Sequence, residues 1–419
     1  MQHLDDKTFC AAPWFAMRTN TDRSYSPCCE FMPNLSGFDG KKKYTVDQDT
    51  IKQWTQSKYM DYVRKQLLAG NKIPECVKCW KKEDNNIISL RQQINDTLTD
   101  NNAKKISNTW IGSFLKQNIK KNMLLLADIK ISNLCNYSCV MCNPYDSSII
   151  FTKWYKEKNK NEFVKEILKK DAQYFYEIKN KNKKKYSHDI LLEVLKHPIK
   201  HLKFLGGEPL LEKKLLTILS NVPDEKKQNI SLHFITNGSI DIVGVVKKYN
   251  LSFKSVSATV SLEGVGEIQD WARKGSNWKL VHKNIKRAKE NGILLTIHHT
   301  LQLSTLLRLN QLLDWCNEEK LPITFGYLEN PPYLSSCLLP THLKQNVADI
   351  FLTQRANLSK GINSYYEQNQ TTPENLKKFL LEKIENNKIG NIDRFFKFIE
   401  WYEKDSVLKL KNLVPELYK

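Results

Sequence analysis

The stretch Leu124-Leu-Leu-Ala-Asp-Ile-Lys-Ile-Ser-Asn-Leu-Cys135-Asn-Tyr-Ser-Cys139-Val-Met-Cys142 decides how the rest of the chain is read. Its first half is a short β-rich run that predicts a strand over 125–132. Its second half places three cysteines at CxxxCxxC spacing, immediately after that strand. Where strands alternate with helices around a barrel, the loop at a strand's carboxyl end carries the chemistry. A structural zinc ion wants four ligands. The next histidine after the triad is His188, far along the chain, so no fourth ligand lies nearby. Three thiolates on a four-iron cluster would leave one iron open to bind and activate a ligand. A zinc knuckle that borrows a distant ligand is the alternative for the same residues.

Outward from the triad, further strands are predicted at 201–206, 231–237, 255–263, 294–301 and 323–328, with helical patterns between them such as Asn277–Asn291 and Leu306–Glu319. Strand alternating with helix implies an α/β fold with a parallel sheet and right-handed crossovers. Six such units predict a partial (β/α)6 TIM-like barrel over 124–341. Along 255–263, Val256, Ala258, Val260 and Leu262 alternate with Ser255, Ser257, Thr259, Ser261 and Glu263. A strand buried on both faces should be nearly all apolar, so one face suits helices and the other a polar interior. Strand 294–301 repeats this, with Thr296, His298 and Thr300 on the polar side. His298 is the candidate proton-transfer side chain, against the plainer reading of a hydrogen-bonded structural histidine. Glu329, past strand six, is a weaker candidate.

Other strand ends carry their own motifs: Gly206-Gly207-Glu208-Pro209, Thr236-Asn237-Gly238, Ser261-Leu-Glu263-Gly264, and Arg273 within Trp271-Ala-Arg273-Lys-Gly275. Together with the triad they resemble the radical S-adenosylmethionine superfamily over about residues 124–340. The resemblance implies a 4Fe–4S cluster on Cys135, Cys139 and Cys142 and S-adenosylmethionine as cosubstrate. It implies that Gly206, Gly207, Glu208 and Pro209 serve the methionine amino group and that Ser261 and Glu263 lie near the ribose. Thr236 and Asn237 end strand three on the same side, and Arg273 resembles a partner of the methionine carboxylate. Many members place an aromatic residue before the third cysteine; here it is Met141, whose polarizable thioether can pack on adenine. A flavodoxin or ferredoxin is the implied reductant, and a peptide or small metabolite the expected substrate.

Residues 1–100 hold five more cysteines in turn-rich sequence with short helical stretches such as Ile51–Leu68. Phe9-Cys10-Ala-Ala-Pro-Trp14 and Pro27-Cys28-Cys29, with Cys76 and Cys79, resemble the auxiliary-cluster modules called twitch or SPASM. That resemblance implies a second 4Fe–4S cluster on Cys10, Cys28, Cys76 and Cys79, with Cys29 as an alternative to Cys28. Here the module precedes the barrel, and the usual Gly before Pro-Cys is missing. A four-cysteine zinc site remains the alternative. Residues 101–123 read as a basic linker and 342–419 as a helical extension whose aromatic segment Phe395–Trp401 packs on the barrel. Cys316 shares a helical stripe with Leu309, Leu312 and Leu313 and reads as core; Cys337 lies in the loop after strand six.

The 419 residues, 41% hydrophobic and 26% charged, are those of a soluble globular chain of roughly two or three domains. No apolar run approaches the ~20 residues of a membrane helix, and Met1-Gln-His-Leu-Asp-Asp has no apolar leader. A cytoplasmic setting follows, where cysteines serve metals more than disulfides. The net charge of +20 gathers in runs such as Lys179–Lys185. Nucleic-acid contact is the weaker partner expectation, since neither an arginine-rich helix nor stacking aromatics accompany the charge. Two alternatives to the leading function stand beside it: a radical enzyme that modifies nucleotides or nucleic acid, and a non-catalytic zinc-binding nucleic-acid protein.

Overall fold

Alternation of polar and apolar side chains builds a sheet with one dry and one charged face. In the computed structural model, which describes residues 8–20, 22–33, 43–84, 88–98, 123–144, 146–157, 160–165, 188–328, 331–340, 342–344, 346–347 and 392–419, this sheet has eight strands. They are β1 (Ala16–Thr19), β2 (Tyr25–Ser26), β3 (Leu126–Lys130), β5 (His201–Leu205), β6 (Ser231–Thr236), β7 (Ser255–Ser261), β9 (Leu294–Leu301) and β10 (Ile323–Tyr327). Their order is β10-β9-β7-β6-β5-β3-β1-β2, and every pair is parallel except β1 with β2. The six strands expected from 125 to 328 are all present, in chain order across the sheet. A two-residue ribbon, β4 (Ser138–Cys139) against β8 (Arg273–Lys274), lies outside it.

On the apolar face, Ile129, Leu202, Phe204, Leu232, Phe234, Val260 and Ile297 are buried. They share one core with Leu215, Leu219, Val281, Ile285, Leu309 and Leu312 of the connecting helices. Each such side chain contributes about 1.5–3 kcal/mol of burial. Asn277 caps the helix Trp278–Glu290 by accepting from the amide of Leu280, which fixes where that crossover begins. Cys316 is fully buried in this core, as its stripe predicts.

The sequence expectation missed β1. Four residues are short for a strand signal, yet Arg18 pairs in register with Asp128 of β3 and extends the sheet by two strands. The expected helix 51–68 is two, Ile51–Thr55 and Lys58–Leu68, because Ser57 accepts from the amide of Met60 and starts the second. Around them a second core gathers Phe9, Phe15, Val63, Leu67, Trp80 and Ile94 with Leu125 and Leu126 at the root of β3. The amino-terminal region is thereby welded to the barrel through both hydrogen bonds and packing.

At the other end, the helix Ile392–Tyr402 buries Phe395, Phe398, Ile399 and Tyr402 at the i, i+3, i+4, i+7 spacing of a core-facing stripe. Trp401 meets Trp154 edge-on at 5.5 Å. The segments 101–122 and Lys179–Lys185, and Glu329, lie outside the described residues. No described helix is long and apolar enough to cross a membrane.

Candidate active site

Strand β3 ends at Lys130, and the chain turns through Ser132-Asn133-Leu134 into the cysteine loop. Two glycines permit a close approach there. A Cβ on Gly207 would lie 2.1 Å from the carbonyl oxygen of Leu134, and one on Gly206, whose φ is +131°, would lie 2.4 Å from that of Ser132. Backbone therefore stacks on backbone: Gly207 N–H donates to Ser132 at 3.1 Å and Glu208 N–H to Leu134 at 2.6 Å. The Gly-Gly-Glu-Pro turn is a shelf for the cysteine loop.

The Glu208 carboxylate points away from solvent. It accepts from Thr236 Oγ1 at 2.9 Å and from the amides of Asn237 at 2.7 Å and Leu210 at 3.1 Å. Burial pushes its pKa up to about 7, against the pull of these donors and Arg273. Glu208 and Thr236 thus join two strand ends as a strut, and Pro209 beside them is buried. Asn237 continues the chain of contacts, donating to Asn136 Oδ1 at 2.9 Å inside the cysteine loop.

On the opposite side, β4 and β8 pair Cys139 with Arg273. The Arg273 guanidinium donates to Glu263 Oε1 at 2.7 Å and to Cys139 Sγ at 3.7 Å. Glu263 is fully buried, and its second oxygen takes the amide of Thr300 at 3.3 Å. Burial pushes Glu263 upward and Arg273 offsets it. Burial likewise raises the Cys139 thiol to about 11, with Arg273 opposing. Arg273 itself is held above its ordinary range, because Cys139 and Glu263 outweigh the burial that opposes its charge. Its Nε is buried without an acceptor among the described residues. Cys135 and Cys142 are half-buried, and both act on Cys139 or are acted on by it. Met141 is also half-buried, against the core.

The expected residues Cys135, Cys139, Cys142, Glu208, Thr236, Asn237, Glu263 and Arg273 thus form one connected network. The fit to a thiolate-bound cluster with a carboxylate-bearing ligand is good on two counts: three thiols in one loop beside a fixed cation, and one guanidinium nitrogen, Nε, with no acceptor among the described residues. Among the described residues, no group of three or more His, Cys, Asp or Glu is drawn together tightly enough to hold a single metal ion as it stands. Ser261 and His298 are register partners, half-buried on the polar face, and His298 Nδ1 pairs with Thr324 Oγ1 at 3.0 Å.

The polar interior differs in part from its expectation. Ser257 and Thr259 are buried and bracket the imidazole of His233, at 2.8 and 2.9 Å, so they are tied up by a second histidine. Ser257 Oγ donates to the carbonyl of Leu232, so it accepts from His233 Nδ1–H. Level with them runs the register row Arg18, Asp128, Lys203, His233, Ser257. The period-two pattern of β3 and β5 contained Asp128 and Lys203, but finding the row needs the strand order.

The amino-terminal cysteines also converge. Cys10, Cys28 and Cys79 are buried and Cys76 half-buried within the second core. Burial raises all four thiols, Cys10 to about 12 and Cys79 to about 11. After burial, Cys28 feels Cys29 first and then Cys10, Cys79 and Cys76, whereas the charges that act on Cys29 are Arg18, Glu30, Asp128 and Lys203.

Residues 129–308 match the radical SAM superfamily. The chain is 26% identical over 195 residues to a probable GTP 3′,8-cyclase of Methanococcus aeolicus, covering 45% of this chain and 54% of that protein. It is 29% identical over 134 residues to a probable GTP 3′,8-cyclase of Methanococcus maripaludis, covering 31% and 43%. The chain spans about half the length of the curated relatives it matches. A solved structure, Streptococcus suis SuiB bound to precursor peptide SuiA, aligns at 18% identity and a TM-score of 0.35, over 72% of this chain and 61% of that one. The matched residues run from the end of β3 through β9 and take in the cysteine triad, the Gly206–Pro209 turn, Glu263 and Arg273.

Proposed function

We propose that the chain cleaves S-adenosylmethionine reductively and directs the resulting radical at a polar substrate, a peptide or a small metabolite. What supports this reading most is the network that ties three cysteines at the end of β3 to Arg273, Glu263 and the Gly206–Pro209 turn. Cys135, Cys139 and Cys142 would hold a 4Fe–4S cluster, which when bound would supply the electron for reductive cleavage of S-adenosylmethionine. The chain's own share is orientation. Arg273, immobilised by Glu263, would offer its free N–H groups to the methionine carboxylate, and Ser261 and Glu263 would bound the ribose side. His298, steadied by Thr324, faces the interior where a substrate proton would move.

The row from Arg18 to Ser257 favours a substrate with charged or hydrogen-bonding groups. One specific observation supports a second reading: both curated relatives are named as cyclases of GTP, which favours a nucleotide as the small substrate. A flavodoxin- or ferredoxin-type protein is the reductant we infer. Cys10, Cys28, Cys76 and Cys79 would hold a second 4Fe–4S cluster, with zinc as the alternative. The absorption spectrum of anaerobically purified protein with Cys135, Cys139 and Cys142 changed to Ala separates these: brown for iron–sulfur, colourless for zinc.

The test is anaerobic incubation with S-adenosylmethionine and dithionite, with 5′-deoxyadenosine measured by chromatography. Wild type forms it and the triad triple-Ala variant does not; equal formation by both refutes the proposal. A several-fold rise on adding purine nucleotides would move the second reading to first place.

A further inference from the structure

The carboxyl-terminal helix ends against the ribbon that carries Cys139 and Arg273. The Tyr402 hydroxyl lies 3.0 Å from the carbonyl oxygen of Ser138 in β4 and 3.1 Å from that of Trp271, just before β8. Tyr402 is buried, and its ring meets Trp271 edge-on at 5.6 Å. The next residue completes the hold. Glu403 Oε1 accepts from Trp271 Nε1 at 2.7 Å and from the amide of Leu410 at 2.6 Å. The ribbon itself is short: β4 and β8 are two residues each, with one further bond, Val140 N–H to Ala272 at 2.8 Å.

A two-stranded ribbon of that length is not stable by itself. Its register nevertheless sets the 3.7 Å contact between Arg273 and Cys139 Sγ. A hydroxyl shared by carbonyls of both arms is placed to fix that register, since sliding either arm breaks it. A cation donating to a ligand sulfur stabilises the more negative, reduced state of any cluster on that sulfur.

We infer that Tyr402, backed by Glu403, is a positioning residue that locks the β4–β8 ribbon and so holds Arg273 on Cys139. The consequence for redox tuning rests on the cluster reading given above; the lock itself does not. The tests separate the two. In metal-free full-length protein, hydrogen exchange followed by mass spectrometry compares wild type with Tyr402→Phe, which removes one oxygen. Peptides spanning 137–142 and 271–276 should exchange at least tenfold faster in the variant, while those from β6 and β7 are unchanged. Equal exchange in the ribbon overturns the lock, whether or not the protein cleaves S-adenosylmethionine. In reconstituted protein lacking the amino-terminal cysteine set, the reduction potential of the remaining cluster should shift to a more negative value in Tyr402→Phe, and Arg273→Lys should shift it the same way. Unchanged potentials in both variants overturn the tuning role. Should wild type hold no iron at the triad, the cluster reading fails and the exchange experiment still decides the lock.

Discussion

The two cysteine groups of this chain are built on opposite plans. The triad sits in a polar frame: Cys139 beside a charged guanidinium, a buried Glu263, and loops joined by side-chain and backbone hydrogen bonds. The amino-terminal four sit in an apolar core with Phe9, Phe15, Trp80 and Ile94, where the nearby cations Arg91 and Lys82 are already bound by Glu83 at 2.8 Å and by Glu30 at 3.1 Å. A polar frame with a spare donor suits a site that must bind and release a small molecule. A dry, self-contained frame suits a site fully ligated by protein. Under the proposed function, chemistry belongs to the first and support or electron relay to the second.

The sharpest way to break that division is to empty the second group. Replacing Cys10, Cys28, Cys76 and Cys79 together by Ala should remove all metal from that site and lower the melting temperature by several degrees. Formation of 5′-deoxyadenosine should persist at a reduced rate. Complete loss, with iron still counted at the triad, would mean that the two groups work as one centre. Cys29→Ala is the internal control and should leave the metal content of both groups unchanged.

A smaller effect is expected from Gly207→Ala, because the added methyl meets backbone atoms of Asn133 and Leu134 within 2.7 Å and neither can rotate away. The cysteine loop must shift, at a cost of about 1–3 kcal/mol. Iron assay should show reduced loading at the triad and full loading at the amino-terminal site. Equal loss at both would point to general unfolding.

Glu208→Gln should show the subtlest change, visible in its pH dependence. The folded-state pKa of about 7 exceeds the ordinary 4.5, so the folded chain holds the proton more tightly than the unfolded one. That contribution is complete below pH 4.5 and is lost as pH rises through about 7. Urea unfolding should therefore show wild type losing stability relative to Glu208→Gln between pH 5 and 8, on the order of 3 kcal/mol at most. A constant difference would mean that the three donors keep Glu208 ionised throughout.

Most of the barrel was legible because its strands are short, separated by helical stretches and patterned with period two. The triad and the Gly206–Pro209 and Thr236–Asn237 turns were legible because each lies at a strand's end. What escaped shares one cause: it depends on contacts between distant segments. Strand β1 is too short to announce itself and exists because β3 offers an edge. His233 reads as an isolated polar residue until β6 and β7 are set in register. Glu208 reads as a ligand residue, yet the fold turns it inward as a strut. Tyr402 looks like core, and its hydroxyl acquires meaning only against Ser138, far earlier in the chain.

The most direct measurement is electron paramagnetic resonance of the dithionite-reduced protein carrying Ala at Cys10, Cys28, Cys76 and Cys79, with and without S-adenosylmethionine. One 4Fe–4S signal is expected, with g-values that move when S-adenosylmethionine is added, as an iron with an open position requires. A signal that is identical in both samples, or a protein that holds zinc and no iron at Cys135, Cys139 and Cys142, would contradict it.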